Sequence, residues 1–473
     1  MNHTLYGLRL AILYGAIWFI DLLDASLLNI ALPNISKYFQ MHPTRTEWVL
    51  IGFLLGMIIG MLTSDPLGQH LGKRKTFLCA GWCYLFSSIG CGFSHYFAEL
   101  VFFRIVQGIS GGWAIPVGMT LVMTYMPQGK WAKTGSWLNV FALLAPALGP
   151  ILAGYILSFL SWKWLFFVKL PISLVCVVLS HKWIKQGSSP KKAPVDFPGL
   201  FYVAISLSLL LLFLSEIGKS SFPQGVLAIF LLLAVVFGSA FYSREKKAKH
   251  PLIPLKIFKF TLFSWGNMIQ SAANMIFLGA TFLIALYLQR GLGFSVFKTG
   301  WLMATITLGM AAVMPLTGLF YNQLGPLPFI IPGLIAMSLS MFGLIFITEK
   351  TPCWLISGII FFEGAGSAAL QTANFVSIFS EIPKDLKGVG SSLYSLFKQI
   401  SASLGIALST MMLTLQLGIS ARGTLSDCIP RSDFYASFLL LGCIPLGALL
   451  CCFKINNKKA LQGIQSLGRL ETD

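Results

Sequence analysis

Asp21 and Asp24 stand three residues apart inside the first long apolar run of the chain, about residues 8 to 31. That spacing puts both on one face of a helix. Carboxyl groups at membrane depth are costly while charged, so they pair with a cation or bind and release a proton. Other ionisable residues interrupt apolar runs in the same way: Arg104, Lys169, Glu363 and Lys398, with Asp65 near a run's end. The chemistry on offer is proton transfer and charge pairing. Hydrolytic or metal chemistry has little support. The six histidines (His3, His42, His70, His95, His181 and His250) are scattered through connecting segments, and the nine cysteines form no CxxC pair. That pattern gives no expectation of a metal or cofactor, and with no GxxxxGK[ST] phosphate loop present direct ATP use is not expected.

The elements that position these charges follow from composition. Of 473 residues, 56% are hydrophobic and 11% charged, and mean hydropathy is +0.77. A soluble fold has too little interior for so much apolar sequence, so the bilayer is expected as solvent. Apolar runs of roughly twenty residues start near 8, 48, 76, 98, 134, 162, 197, 224, 262, 299, 327, 353, 388 and 434. The expectation is an all-α polytopic protein of about fourteen helices. The first run is too long for a secretory signal core and reads as a spanning helix. The net charge of +18 lies in short clusters between the runs, which argues against a nucleic-acid partner. With the N-terminus inside, inner loops hold roughly 22 basic residues and outer loops about 9, so both termini are expected in the cytoplasm. This topology puts Cys353 and Cys428 on the outer side, a candidate disulfide pair.

Several placements follow from depth alone. Glu363 and Lys398 lie about ten residues into their helices from opposite ends, roughly 15 Å deep, and are expected to pair. Lys169 is nearer an interface and is expected to snorkel outward, and Arg104 has the same option. Gly52, Gly56 and Gly60 share one helix face, which lets a neighbouring helix approach closely. A turn with the sequence SDPLGQHLGKRK (64–75) follows the second run, and GLFYNQLG (318–325) follows the tenth, a faint repeat of the kind seen in paired-bundle transporters.

The motifs resemble a known family. RIVQGISGG (104–112) resembles the Arg-x-x-Gln-Gly signature of the fourth helix of the major facilitator superfamily. ALGPILAG (147–154) resembles the Gly-Pro-x-x-Gly-Gly antiporter motif, with Ala153 in place of one glycine. LDASLLNIALP (23–33), SWKWLFFVKLP (161–171), PLIPLKIFK after the eighth run and GVGSSLYSLFKQISASLGIAL in the thirteenth are similar to the fourteen-span drug/proton antiporter branch. Lys169 stands where that branch usually has Asn. The turn departs as well: the family's acid position holds Gln69, its counterpart in the second half holds Asn322, and Asp65 lies one helical turn earlier.

The resemblance implies a major facilitator fold in four parts: a six-helix bundle (1–182), a linker with two extra spans (183–261), a second six-helix bundle (262–453) and a cytoplasmic tail (454–473). It implies an inner-membrane, proton-coupled exporter of lipophilic or amphipathic compounds, and no enzyme. The alternative is a transporter dedicated to one metabolite or siderophore. Asp24 fits the signature and is expected as the coupling acid, with Asp21 as its tuner and Arg104 in a buried hydrogen-bonding role in proton coupling. The alternative is that one acid only pairs with a basic residue such as Arg104 and never changes protonation. Asp65, Gln69, Gly72, Lys73 and Arg74 would form the gating turn, with Asp65 as a displaced acid meeting the basic cluster. Gly149, Pro150 and Gly154 would form the antiporter motif, serving either close packing or a block to leak. Gln107, Glu363 and Lys398 are candidate cavity groups. The implied partners are a small-molecule substrate, protons and the lipid bilayer, with a place for an accessory periplasmic efflux subunit.

Overall fold

The computed structural model describes residues 3–41, 46, 48–142, 144–185, 196–216, 223–248, 254–383, 385–417 and 430–455, and all regular structure among them is helical. In lipid every backbone N–H and C=O must be satisfied internally, which long helices achieve. The first group of helices is α1 (His3–Phe39), α2 (Trp48–Leu71), α3 (Lys73–Phe93), α4 (Phe97–Tyr125), α5 (Trp131–Ala142), α6 (Leu144–Phe159) and α7 (Trp164–Trp183). Two follow in the middle, α8 (Phe197–Glu216) and α9 (Gln224–Glu245). The last group is α10 (Thr261–Leu286), α11 (Val296–Leu324), α12 (Leu327–Ile345), α13 (Cys353–Ser380), α14 (Lys387–Leu417) and α15 (Ser432–Cys452). Among the described residues, 12 helices are long and apolar enough to cross a membrane. The shorter apolar stretch Pro198–Leu214 of α8 adds to these, and residue 143, between the end of α5 and the start of α6, lies outside the described residues.

Packing divides along the chain. In the first group α4 is central, touching α2, α3 and α1, while α1 also packs on α6 and α3 on α7. In the last group α13 packs on α11, α12 and α10, and α10 packs on α14. The glycine face read from the sequence lies where expected. A side chain at Gly56 or Gly60 would collide with the α4 backbone, and one at Gly108 or Gly112 with the α2 backbone. These two helices therefore meet backbone to backbone.

The middle pair pack on each other, and α8 touches α2 and α14, so it straddles the line between the two groups. Val203 and Leu211 of α8 share an apolar cluster with Ile58, Leu62 and Leu396. α9 has the highest mean hydropathy of the spans, 2.4, yet only 11% of its window is buried, as suits a helix facing lipid. Arg244 at its end clamps Asp196 at the start of α8 with bonds of 2.8 to 3.0 Å. Those guanidinium bonds hold the Asp196 carboxyl below the usual carboxylate range. Cys353 is exposed and unbridged, and Cys428 lies outside the described residues.

Candidate functional site

Five helices converge on Asp24. Its side chain is 0% exposed, and Arg104 of α4 reaches it at 2.6 Å. Lys169 of α7 donates to its other oxygen. The guanidinium also bonds the Val49 carbonyl of α2 (3.0 Å) and the Gln107 side chain (2.5 Å), and lies over the Phe53 ring at 4.3 Å. Gln107 in turn donates to Ser88 Oγ of α3 at 2.6 Å. Arg104 is thus buried and satisfied from α1, α2 and its own helix, and it does not snorkel outward.

Lys169 does not snorkel. It is 1% exposed and lies beside the Phe166 and Tyr84 rings as well as Asp24. A buried ammonium needs a counter-ion, and Asp24 is in reach where α7 breaks between its short first turn and Leu170. One carboxylate therefore balances two cations, and the cluster carries a surplus positive charge.

Asp21 lies one turn earlier on the same face but is not drawn into these bonds. Its Oδ1 is buried without a hydrogen-bond partner. The side chain borders a small, mostly apolar recess between α1, α3, α4 and α7. Ile20, Phe77, Tyr84, Ser110 and Cys176 line it with Asp21, and the Tyr84 hydroxyl is also buried and unpartnered. Across from the first group, Lys398 of α14 sits over the Trp18 ring at 4.7 Å, with Asp21 as its charged neighbour.

The expected Glu363–Lys398 pair does not form. Glu363 is fully buried with both carboxyl oxygens unpartnered, while Lys398 turns to α1. Equal depth fixed neither residue's direction around its helix, and that direction decides who meets whom.

The 64–75 turn lies where the two groups of helices touch. Ser64 and Ser392 hydroxyls meet at 2.8 Å, Thr120 and Ser391 at 2.6 Å. Lys387 Nζ reaches the Met123 carbonyl, and Asn322 Nδ2 reaches the Gly129 carbonyl at 2.6 Å. Asp65 faces this seam: Gln69 donates to it at 2.7 Å, and a side chain at Gly388 would collide with its carboxylate. It meets Gln69 and the first turn of α14, whose N-terminal amides favour a negative charge. Its place opposite the basic cluster is only partly as expected, since Arg74 bonds the His181 carbonyl of α7 instead and Lys73 is a charged neighbour. Gly72 turns the chain with φ 87°, a left-handed angle suited to glycine.

The antiporter-motif residues separate. A side chain at Gly149 would collide with Ser26 of α1, whereas Gly154 is exposed with nothing near its missing Cβ. The side chain of Pro150 lies outside the described residues.

Asp65→Asn should lower transport about tenfold, through roughly 1.4 kcal/mol of helix-terminus and hydrogen-bond energy. Gln69→Ala, losing one exposed bond, should change it less than about twofold. Flux in reconstituted vesicles at equal protein content measures both, and equal tolerance would show that Asp65 has no part in the seam.

A family model described as Major Facilitator Superfamily matches residues 15–406. The chain belongs to this superfamily. It is a multi-pass membrane transporter that acts on small-molecule substrates. It is 26% identical over 405 residues to MdtD of Pectobacterium atrosepticum, a protein named for multidrug resistance, covering 84% of this chain and 85% of that one. It is also 26% identical over 392 residues to the riboflavin transporter RibZ of Clostridioides difficile, covering 82% and 84%. The solved proton:xylose symporter XylE superposes with a TM-score of 0.65 at 14% identity, covering 98% of this transporter and 99% of that chain, a likeness of fold.

Proposed function

We propose that this transporter is a proton-driven exporter of lipophilic or amphipathic compounds, lying in the cytoplasmic membrane with fourteen spans and both termini inside. α5 with α6 and α8 supply the spans beyond the 12 described as long enough. The two six-helix groups are its moving bodies, and α8 and α9 are an insertion between them. The contacts at Ser64, Asp65, Ser391 and Ser392 close the cytoplasmic end in this conformation.

The observation that carries the proton coupling is the unequal environment of the two aspartates. Asp24 is locked between Arg104 and Lys169, and protonating it would strand two cations. Asp21 borders the recess with a free oxygen and lies near Lys398 of the other group. The roles expected from the signature are therefore exchanged: Asp21 carries the proton, and Asp24 is the fixed counter-ion that holds Arg104 and Lys169. Protonation of Asp21 removes its attraction to Lys398 across the seam. A group with different interactions in two conformations biases the equilibrium between them.

Purified protein in liposomes, with ethidium as a lipophilic cationic probe, tests the reading. Ethidium should move against its gradient only while a pH gradient is imposed, and stop when a protonophore collapses it. The similarity to RibZ favours a second reading, a single dedicated metabolite. Gradient-driven movement of riboflavin with no movement of ethidium would select that reading over multidrug export.

A further inference from the structure

We infer that Glu363 is a second proton-binding carboxyl, seated in the group of helices opposite Asp21. Glu363 lies on α13, is 0% exposed, and neither carboxyl oxygen has a hydrogen-bond partner. The helices around it are tightly packed. A side chain at the adjacent Gly364 would collide with the Ile306 carbonyl of α11, and one at Gly309 with the Phe361 carbonyl of α13. That close approach leaves little space for a solvent shell between α11 and α13 at this depth.

Among the described residues, no charge on the neighbouring elements offsets it. α10 and α12 carry no titratable side chain. On α11, Lys298 is eight residues before Ile306, about 12 Å along the axis, and sits over the Phe294 ring at 3.4 Å. Tyr321 lies about 22 Å from Ile306 in the other direction. On α5, Lys133 is exposed, and α13 itself adds only Cys353 near its outer end. Lys398, equal in depth, is at Trp18.

A carboxylate isolated from water and from every cation is prohibitively costly, so the group holds its proton in this conformation. The protonated acid offers one O–H donor and an acceptor oxygen. The next polar groups along that side of α13 are Ser367, one turn on, and Gln371, which donates to Ser367 Oγ at 2.6 Å. When the carboxyl deprotonates, its O–H bond breaks, the electron pair stays on the carboxylate, and the proton passes to water admitted in another conformation. The presence of the proton stands on burial and geometry, whereas its use in transport rests on the proton-coupled reading above.

The test is infrared spectroscopy of the purified protein in lipid at neutral pH, with no substrate. The C=O stretch of a protonated carboxylic acid should be present, and one acid's share of it should be lost in Glu363→Gln. Asp21→Asn should leave the Glu363 component in place. Glu363→Met, similar in length and permanently apolar, provides a second folded variant lacking the same component. An unchanged carboxylic acid band in a folded Glu363→Gln protein would overturn the inference. So would failure of both neutral variants to accumulate, since that would mean the charged form is required. Loss of the component without gradient-driven ethidium flux in the unaltered protein would keep the site and reject only its use in transport.

Discussion

Asp24→Asn should leave little folded transporter, because it strands Arg104 and Lys169 side by side in a buried site with no counter-ion. Removing one partner of a buried ion pair costs about 3–5 kcal/mol, a large share of the stability of most proteins. The replacement amide can still accept a hydrogen bond from Arg104, but it supplies no charge. Restoring balance should restore folding. Asp24→Asn combined with Lys169→Met should accumulate better than Asp24→Asn alone, since only Arg104 then remains charged, with the Val49 carbonyl and Gln107 still bonded to it. Lys169→Met alone should be mild, because it removes the surplus cation and leaves the Asp24–Arg104 pair intact. Thermal unfolding in detergent, followed by size-exclusion profile, measures the three variants. A melting temperature for Asp24→Asn equal to that of the unaltered protein would show that the cluster is not a tightly coupled charge site.

The second large effect is steric. Gly108→Val should separate α2 from α4, since even one Cβ at Gly108 would meet the Phe53 carbonyl of α2. Overpacking of this kind costs about 1–3 kcal/mol where neighbours can yield, and a helix backbone yields less than a side chain. Gly56→Val attacks the same crossing from the other side, at the Ile105 carbonyl, and should be equally severe. Gly154→Ala is the control: it meets open space and should gain roughly 0.5–1 kcal/mol of helix preference. The same thermal assay ranks them. Unchanged stability in Gly108→Val would mean that the α2–α4 contact is looser than its backbone distances indicate.

The parts legible in the sequence are those that depend on position along one helix. Run lengths located the 12 helices that are long and apolar enough to cross a membrane among the described residues, and the spacing of Gly52, Gly56 and Gly60 located a face of close approach. The family motifs led to the superfamily membership. What stayed hidden depends on rotation about the helix axis and on neighbours distant in the chain. Glu363 and Lys398 share a depth and face different surroundings. Lys169, standing where the family usually has Asn, looked free to reach an interface, yet it is buried against Asp24. The family signature singled out Asp24 as the coupling acid, but nothing in the sequence shows that Arg104 and Lys169 both approach Asp24 and leave Asp21 unbonded. The one signal that could have found this site is the charge at Lys169 where the family usually has Asn, because a cation inside a span calls for an acid to balance it.

The most direct test of proton carriage by Asp21 is counterflow against driven flux in liposomes containing Asp21→Asn. Ethidium exchange down its own gradient, which requires only alternating access, should proceed at a rate near that of the unaltered protein. Ethidium accumulation driven by an imposed pH gradient should fall to the level of protein-free vesicles. Full gradient-driven accumulation by the Asp21→Asn protein would contradict the account, because the carboxyl assigned to carry the proton would then be dispensable.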